Sequence, residues 1–305
     1  MAKPQAAGQV IQYDMTPPAI WPFPAATGSL SPTMHSLQGK VVLITGGSSG
    51  IGRATALRLA GLGARVAVAA RTAAALDEVV REAARLGAEA LAVPTDVTDR
   101  EQCRRAVAAA VERFGCLDVL LCSAGVSLRA PFADSDLDVL ERVVRVNFFG
   151  TLYATWFAVP YVKQTRGSLV AISSLTGKCG TPSYAGYGAS KFAVQGLYEA
   201  LRRELAPDGV HVGVVSPGFV DTPLRDNVLG PDGRPWDKPP PPPFRVWPVA
   251  KCVDRIVRLI LKRRAEALLP EFVRPLIALD QLFAGRLGDR YIGGKFVPRD
   301  PPQQL

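Results

Sequence analysis

The stretch KVVLITGGSSGIG, residues 40–52, runs from a short apolar segment into a loop with spaced glycines. The β-branched run Lys40–Thr45 predicts a buried strand, and a helical pattern follows the loop. Glycines at Gly46, Gly50 and Gly52 permit a tight turn, a close approach of the backbone to a pyrophosphate, and close packing of helix on strand. The helix N-terminus then favours the charge of a phosphate. This stretch therefore predicts a strand–loop–helix unit that binds a dinucleotide.

Apolar strands alternate with helical patterns along the rest of the chain. The predicted strands are Lys40–Thr45, Arg65–Ala70, Glu89–Val93, Asp118–Cys122, Ser168–Ser173, Val210–Val215 and a short Ala267–Leu269. The predicted helices are Gly50–Leu62, Ala73–Leu86, Asp99–Phe114, 136–163, Tyr184–Ala206 and Val249–Arg264. This alternation predicts parallel βαβ units with right-handed crossovers, and the apolar strands predict a sheet covered on both faces. We therefore expect an α/β fold, a doubly wound parallel sheet with helices on both faces, in a single domain spanning residues 39–270.

Two segments of different composition flank this domain. Residues 1–38 contain six prolines with Tyr13, Trp21 and Phe23 between them, so they cannot form a regular helix. We expect either a disordered leader or an extended arm laid over the domain or a partner subunit. Residues 271–305 are expected to form an amphipathic helix and a tail.

Apolar residues recur at helical spacing in this C-terminal segment, with arginines nearby. The stripe consists of Phe272, Leu276, Leu279 and Phe283, and the arginines are Arg274, Arg286 and Arg290. Such a stripe can extend the pocket wall, pack on a subunit or rest on an anionic membrane surface, and stripes of this spacing usually pack in cores. We favour packing.

Composition excludes several classes of function. The 305-residue chain has a net charge of +9 but no zinc-finger spacing, RNA-binding signature or dense basic tract, so we expect no nucleic-acid partner. Its five cysteines are irregularly spaced, which indicates free thiols in the cytoplasm. With only His35 and His211, a Ser-His-Asp hydrolase or a multi-histidine metal site is not expected. No apolar run reaches the roughly 18 residues of a spanning helix, and no signal peptide is recognised.

The end of the second predicted strand indicates which dinucleotide binds. An acidic residue there would hold the 2′-hydroxyl of NAD, whereas a basic one suits the 2′-phosphate of NADP. The strand ends Ala69-Ala70-Arg71-Thr72, without an acid, and Arg71 can pair with a phosphate. We therefore expect NADP(H) as the cofactor in preference to NAD.

Tyr187 and Lys191 lie one helical turn apart on the same face of a predicted helix. Hydride transfer to a ketone leaves an alkoxide that needs a proton, and a tyrosine can supply it if its pKa, normally about 10, is lowered toward neutral. A nearby ammonium and the positive charge of an oxidised nicotinamide favour that change. Ser174 ends the fifth predicted strand and could hydrogen-bond the substrate oxygen. Neighbouring Ser173 and Tyr184 fit these roles less well.

The TGxxxGxG loop and the YxxxK pair together resemble the short-chain dehydrogenase/reductase family, from about Gly39 to Pro270. The resemblance implies a Rossmann-type sheet and a catalytic tetrad made of Asn147, Ser174, Tyr187 and Lys191, with Asn147 holding a water that links the lysine to solvent. It also implies that Asp96 contacts the adenine and that the segment from Pro217 contacts the nicotinamide. The cofactor-binding residues expected in all are Gly46, Ser48, Ser49, Gly50, Ile51, Gly52, Arg71, Asp96, Val97, Ser123, Ala124, Gly125, Tyr187, Lys191, Pro217, Gly218, Val220 and Thr222.

The sequence departs from the family pattern after the fourth strand. The family usually has Asn-Asn-Ala-Gly, and this chain has Cys122-Ser123-Ala124-Gly125. Two amide side chains are absent, so we expect somewhat lower stability or lower affinity for the cofactor. Ser123 partly compensates, and we expect the cofactor still to bind. Cys179 lies between Ser174 and Tyr187, and we interpret it as a packing residue.

These residues predict hydride transfer between NADP(H) and a secondary alcohol or ketone. The alternative is a catalytically idle dinucleotide-binding regulator, which would often have lost the tyrosine or the lysine. A sugar-nucleotide epimerase needs a larger substrate domain than the roughly 85 residues after Gly218.

A long apolar segment at about 222–248, with five consecutive prolines, predicts a stiff lid over a bulky apolar substrate. The resemblance further implies a homodimer or homotetramer through helices 136–163 and 184–206. We expect a cytoplasmic location, with peripheral membrane contact as the less favoured alternative.

Overall fold

The computed structural model describes residues 36–283, 285–289 and 292. The expectation for the leader therefore lies outside the described residues, apart from its last three positions, and so does Arg290.

Seven parallel strands form one sheet in the order β3-β2-β1-β4-β5-β6-β7. The strands are β1 Val41–Thr45, β2 Arg65–Ala70, β3 Ala90–Pro94, β4 Val119–Cys122, β5 Ser168–Ile172, β6 His211–Pro217 and β7 Glu266–Leu269. The order reverses between β1 and β4, where Thr45 pairs with Cys122, and a dinucleotide binds at such a switch point in doubly wound folds. The expected doubly wound parallel sheet is confirmed.

Helices cover both faces of the sheet. They are α1 Gly50–Ala60, α2 Ala73–Arg85, α3 Arg100–Phe114, α4 Leu137–Val144, α5 Gly150–Thr165, α6 Ala185–Glu204, α7 Pro223–Asp226, α8 Val249–Leu261 and α9 Arg274–Leu282. Alternate residues of β1 point to opposite faces: Ile44 joins a buried cluster with Leu59 of α1 and Ile256 of α8, whereas Leu43 joins a second cluster that includes Val194 of α6. The strands are therefore buried on both faces, as their unbroken apolar runs predict.

The helix predicted over 136–163 is not one regular α-helix. A π-helical turn, Arg145–Phe149, separates α4 from α5. Such turns are rare and often lie at functional sites. Asn147 occupies this turn and is fully buried, so the irregularity re-aims this one side chain toward the carboxyl ends of the strands.

The segment between β6 and α8 forms a loop whose two ends are tied together. The Asp221 amide donates to the carbonyl of Trp247, and the Trp247 amide donates to the carbonyl of Phe219. The middle of the loop pairs with the residues after β4, because the Leu229 amide donates to the carbonyl of Ser127. The loop is thus anchored at both ends and at its centre.

The C-terminal stripe does not pack in the core of this chain, and packing on another subunit stays a prediction. Phe272, Leu276 and Leu279 are all exposed, and Leu282 is 81% exposed. The helix α9 follows β7, the last strand at one edge of the sheet, and the structure classes none of its residues as buried. Its apolar residues instead contribute to the wall of a cavity described below.

Candidate active site

The loop between β1 and α1 approaches the end of β4 closely at Gly46. This glycine has a φ of +68°, and a Cβ atom there would lie 2.6 Å from the backbone of Ala124. A side chain at Gly52 would collide with the carbonyl oxygen of Gly46. Any substitution at either position would therefore push the loop away from the sheet. The backbone cradle that a dinucleotide pyrophosphate requires is present.

A cavity of about 1380 Å³ lies beside this loop at the carboxyl ends of the strands. Of the predicted site residues, all but Gly52 and Asn147 line it. Gly52 lies beneath the loop, and Asn147 lies behind the cavity wall. One cavity therefore brings together the glycine-rich loop, the end of β2, the segment after β6 and the predicted catalytic side chains.

Arg71 and Asp96 lie on the cavity wall after β2 and β3. Arg71 is exposed, and Ser49 on the neighbouring loop is exposed as well. The Asp96 carboxylate accepts hydrogen bonds from the amide (2.9 Å) and the hydroxyl (2.8 Å) of Thr98. Asp96 is thus held by its own turn, and Arg71 presents an exposed side chain on the same wall.

The departure from the family pattern at Cys122 is accommodated by a buried polar cluster. The Cys122 thiol lies 3.6 Å from the hydroxyl of Tyr198 and 3.8 Å from that of Thr155, and these two hydroxyls are 2.8 Å apart. Burial raises the pKa of the thiol, so it stays protonated and packs as a neutral group. This cluster supports the end of β4 from behind.

Ser174, Tyr187 and Lys191 converge on the same part of the cavity. The Lys191 ammonium lies 5.7 Å from the centre of the Tyr187 ring and donates to the carbonyl of Ile172 at 2.9 Å. Ser174 caps a short 3₁₀ turn, and its hydroxyl oxygen accepts from the amide of Thr176 at 3.2 Å. A phenol, a hydroxyl and an ammonium therefore surround one point at which a carbonyl oxygen could be placed.

Without a bound dinucleotide the pKa of Tyr187 is raised, and the lowering expected beside an oxidised nicotinamide stays a prediction. Burial raises the pKa of Tyr187 to about 12, although a hydrogen bond with Ser174 acts in the opposite direction. Burial also lowers the pKa of Lys191 to about 8. Both shifts favour the neutral form because desolvation penalises an isolated charge. The contact of the Lys191 ammonium with the Tyr187 ring, 5.7 Å from the ring centre, does not offset the effect of burial on the phenol.

Asn147 holds the loop that follows β4. Its side-chain oxygen accepts from the amide of Val126 at 2.8 Å, and its side-chain nitrogen donates to the carbonyl of Val126 at 3.0 Å. A Cβ atom at Gly125 would lie 3.1 Å from the Asn147 oxygen and 3.5 Å from the Lys191 ammonium nitrogen. A side chain at Gly125 would therefore press on Asn147 and contact Lys191, so the glycine lets these two side chains approach the backbone after β4 closely.

The two less favoured alternatives have other contacts. The Ser173 hydroxyl donates to the carbonyl of Lys191 at 3.0 Å and is buried, so it fastens α6 to the sheet. The Tyr184 ring packs edge-on against Tyr187, with centroids 6.1 Å apart, and the guanidinium of Arg129 lies over it. Both residues line the cavity, but the hydroxyl of Ser173 is engaged with the backbone of α6.

Arg129 is among the residues of the cavity wall that were not predicted. Arg129 lines the cavity and donates to the carbonyls of Pro240 at 2.9 Å and Pro241 at 3.1 Å. Nothing in the sequence could indicate this contact, because the partners are more than a hundred residues apart and no local pattern links an arginine to a proline carbonyl.

The described residues contain no group of three or more histidine, cysteine, aspartate and glutamate side chains that could hold a metal ion. Within the same part of the chain, no helix combines the length and hydropathy needed to cross a bilayer. All five cysteines lie in the described part, and each is a free thiol.

Comparison with known proteins agrees with this geometry. The chain is 35% identical over 250 residues to the 11-beta-hydroxysteroid dehydrogenase-like 4A protein of Arabidopsis thaliana, covering 81% of this chain and 82% of the relative. It is 38% identical over 193 residues to the 3-oxoacyl-(acyl-carrier-protein) reductase FabG of Thermotoga maritima, covering 63% of this chain and 78% of the relative. A crystal structure assigned as a short-chain alcohol dehydrogenase from Sinorhizobium meliloti 1021 superposes with a TM-score of 0.60 at 35% identity, covering 62% of this chain and 76% of that one.

The family profile described as short chain dehydrogenase matches residues 40–231. This range includes the glycine-rich loop, Asn147, Ser174, Tyr187 and Lys191. The chain belongs to the short-chain dehydrogenase/reductase family.

Proposed function

We propose that this protein transfers a hydride between NADP(H) and a bulky, apolar secondary alcohol or ketone. Membership of the family supplies the coarser part of this statement, an oxidoreductase that acts on CH–OH groups with a nicotinamide dinucleotide. The observation that carries the proposal is that Ser174, Tyr187 and Lys191 line the same cavity as the glycine-rich loop.

In the reduction direction, the chain's own residues have separate tasks. The bound dinucleotide would supply the hydride to the carbonyl carbon. Tyr187 would donate its phenolic proton to the carbonyl oxygen, while the hydroxyl of Ser174 donates a hydrogen bond to the same oxygen. Lys191 would stabilise the phenolate left on Tyr187 and hold the ribose. Asn147 would hold the loop after β4 in place through its two hydrogen bonds with Val126. It would thereby position the part of the cavity wall beside Lys191.

The preference for NADP(H) rests on the charge at the end of β2. Arg71 is exposed on the cavity wall, and the residues before it, Ala69 and Ala70, offer no carboxylate to a ribose hydroxyl. A guanidinium binds a phosphate through two parallel hydrogen bonds, so it suits the 2′-phosphate. Ser49, instead of a second basic residue, adjoins Gly50, and we therefore expect a moderate preference.

The substrate class rests on the lining of the cavity. Beyond the catalytic side chains, the wall is mainly apolar. Its apolar residues come from the loop, from the 3₁₀ turn before α9 and from α9 itself: Phe219, Val228, Pro239, Pro240, Pro242, Phe244, Phe272, Leu276 and Leu279. A wall of this kind favours an apolar ligand and excludes water. Several relatives bear the name hydroxysteroid dehydrogenase, which supports a polycyclic ketone or alcohol as the class to test first.

We also propose a homo-oligomer in a reducing compartment such as the cytoplasm. Trp156 of α5 is 72% exposed, and Phe149 and Phe192 on the adjoining turn and on α6 are exposed as well. Large apolar side chains gathered on neighbouring helices mark an interaction surface. Light scattering at micromolar concentration should give a dimer or tetramer mass, and Trp156→Glu should lower it. A monomer mass for the natural sequence would contradict the proposal.

The five cysteines are all free thiols, which supports the reducing compartment.

The purified full-length chain, mixed with NADPH or NADH and a graded panel of carbonyl compounds, tests the proposed function. We expect loss of reduced-nicotinamide absorbance that is fastest with NADPH and polycyclic ketones. Tight cofactor binding without turnover of any carbonyl would instead indicate the idle dinucleotide-binding regulator.

A further inference from the structure

The five consecutive prolines Pro239–Pro243, here called the proline strap, lie over the substrate end of the cavity, and three of them line it. A proline has no backbone N–H, so this segment cannot be held by donating hydrogen bonds. It can be fastened only through its carbonyl oxygens or by packing. Any group that fixes the strap must therefore bring donors to it.

Arg129 brings those donors. One terminal nitrogen of its guanidinium donates to the carbonyl of Pro240 at 2.9 Å and to that of Pro241 at 3.1 Å. These two bonds hold the strap through carbonyl oxygens of consecutive residues. Hydrogen bonds from a charged donor are stronger than those between neutral groups.

The other contacts of Arg129 lead to the catalytic centre. Its guanidinium carbon lies 5.8 Å from the centre of the Tyr184 ring, and this ring packs edge-on against Tyr187. Cation–π contacts of this length are attractive. The guanidinium thus joins the strap on one side to the tyrosine pair on the other.

The backbone of Arg129 is fixed independently of its side chain. Its amide donates to the carbonyl of Leu229 at 3.0 Å, and its carbonyl accepts from the indole nitrogen of Trp236 at 3.1 Å. Arg129 therefore stays attached to the loop at Leu229 and Trp236 when its side chain is removed, and its guanidinium adds a separate attachment at the strap.

We infer that Arg129 is a positioning residue that latches the proline strap over the cavity and so determines which size of substrate is accepted. This inference rests on the proposed function for its substrate. The latch itself needs no catalysis, and one arm of the test therefore uses a readout that does not depend on turnover.

Limited proteolysis with trypsin reports on the latch directly. Arg234 and Lys238 precede prolines, so trypsin does not cut after them, and Arg245, two residues beyond the strap, is the accessible site. We expect Arg129→Ala to speed cleavage of the Arg245–Val246 bond at least tenfold, as followed by fragment mass. Arg203→Ala removes an exposed arginine from the end of α6 and should leave the rate as in the natural sequence.

Kinetics test the consequence for specificity. Arg129→Ala should lower the ratio of kcat/KM for a polycyclic ketone to that for acetone at least tenfold, mainly through KM for the large substrate. Arg129→Lys keeps the positive charge but lacks the planar set of donors, so we expect values between those of the natural sequence and Arg129→Ala in both assays. If Arg129→Ala does not fold, the lysine variant replaces it in the test.

Cleavage at Arg245 that is equally slow in the natural sequence and in the folded Arg129 variants would overturn the latch, whatever the enzyme turns over. Faster cleavage with an unaltered ratio of kcat/KM would overturn the role in specificity. If no carbonyl is reduced by the natural sequence, the proposed function fails, while the cleavage result still decides the latch.

Discussion

The ammonium of Lys191 lies 5.7 Å from the centre of the Tyr187 ring, and both groups are buried. Burial alone raises the pKa of the phenol to about 12 and lowers that of the ammonium to about 8. At neutral pH the protein therefore presents a protonated phenol beside a protonated amine. This is the pair of charge states that reduction of a ketone needs, since the phenol gives up a proton and the ammonium stabilises the phenolate that remains.

Arg71→Asp should reverse the cofactor preference. The natural sequence is expected to use NADPH with higher kcat/KM than NADH, and the variant should lose at least about tenfold with NADPH, because a hydrogen-bonded pair with a charged group contributes about 1.5–3 kcal/mol. Arg58→Asp makes the same change of charge on an exposed position of α1 and serves as the control. Equal efficiency of the natural sequence with both cofactors would refute the preference.

Deletion of Gly230–Pro243 removes the centre of the loop and the proline strap. KM for long-chain or polycyclic ketones should rise far more than KM for acetone, because only a large apolar substrate depends on the apolar cover that excludes water. Thermal unfolding should first establish that the variant is folded. If both kinds of substrate suffer alike, or if only small polar carbonyls are turned over, the apolar lid does not exist.

His211 should make the protein less stable in mild acid. It is 6% exposed, lies 3.1 Å from the hydroxyl of Ser168 and 2.8 Å from the carbonyl of Arg264, and burial lowers its pKa to about 4 from 6.5. As pH falls, the histidine of the unfolded chain takes up a proton before the buried one does. The neutral ring therefore contributes fully to the free energy of unfolding above pH 6.5, and this contribution is lost between pH 6.5 and pH 4. Linkage gives a loss of about 2 kcal/mol at pH 5.

Urea unfolding at pH 7 and pH 5 measures this loss. His211→Gln should flatten the difference between the two pH values, and His35→Gln, which removes the chain's other histidine, is the matched control. The buried Lys191 titrates at higher pH, near 8, so it does not contribute in this window. A pH dependence in His211→Gln as steep as in the natural sequence would assign the effect to other groups.

The parts of the site that could be predicted are those that depend on neighbouring residues. The loop from Thr45 to Gly52 specifies its own turn and its own phosphate cradle, and the strands on either side follow from short apolar runs. Tyr187 and Lys191 lie one turn apart on one helix, so their joint position is fixed as soon as the helix is recognised. Ser174 could be added because strand ends meet at one edge of a parallel sheet.

The features that escaped prediction depend on tertiary contacts. The π-helical turn at Asn147 has the same apolar periodicity as the helix around it, so composition does not reveal it. The stripe on α9 has the spacing of a core helix, but its exposure depends on whether another layer lies above it. The contact of Arg129 with Pro240 joins residues 111 positions apart.

The central claim is that Tyr187 is the proton donor for hydride transfer, and Tyr187→Phe tests it most directly. Turnover of the best ketone with NADPH should fall at least about a hundredfold, since a positioned acid contributes that much, while fluorescence titration should show NADPH bound as tightly as before. Tyr184→Phe, which alters the neighbouring ring on the same cavity wall, should keep more than a tenth of the rate. A Tyr187→Phe variant that retains more than a tenth of the natural rate would contradict the account.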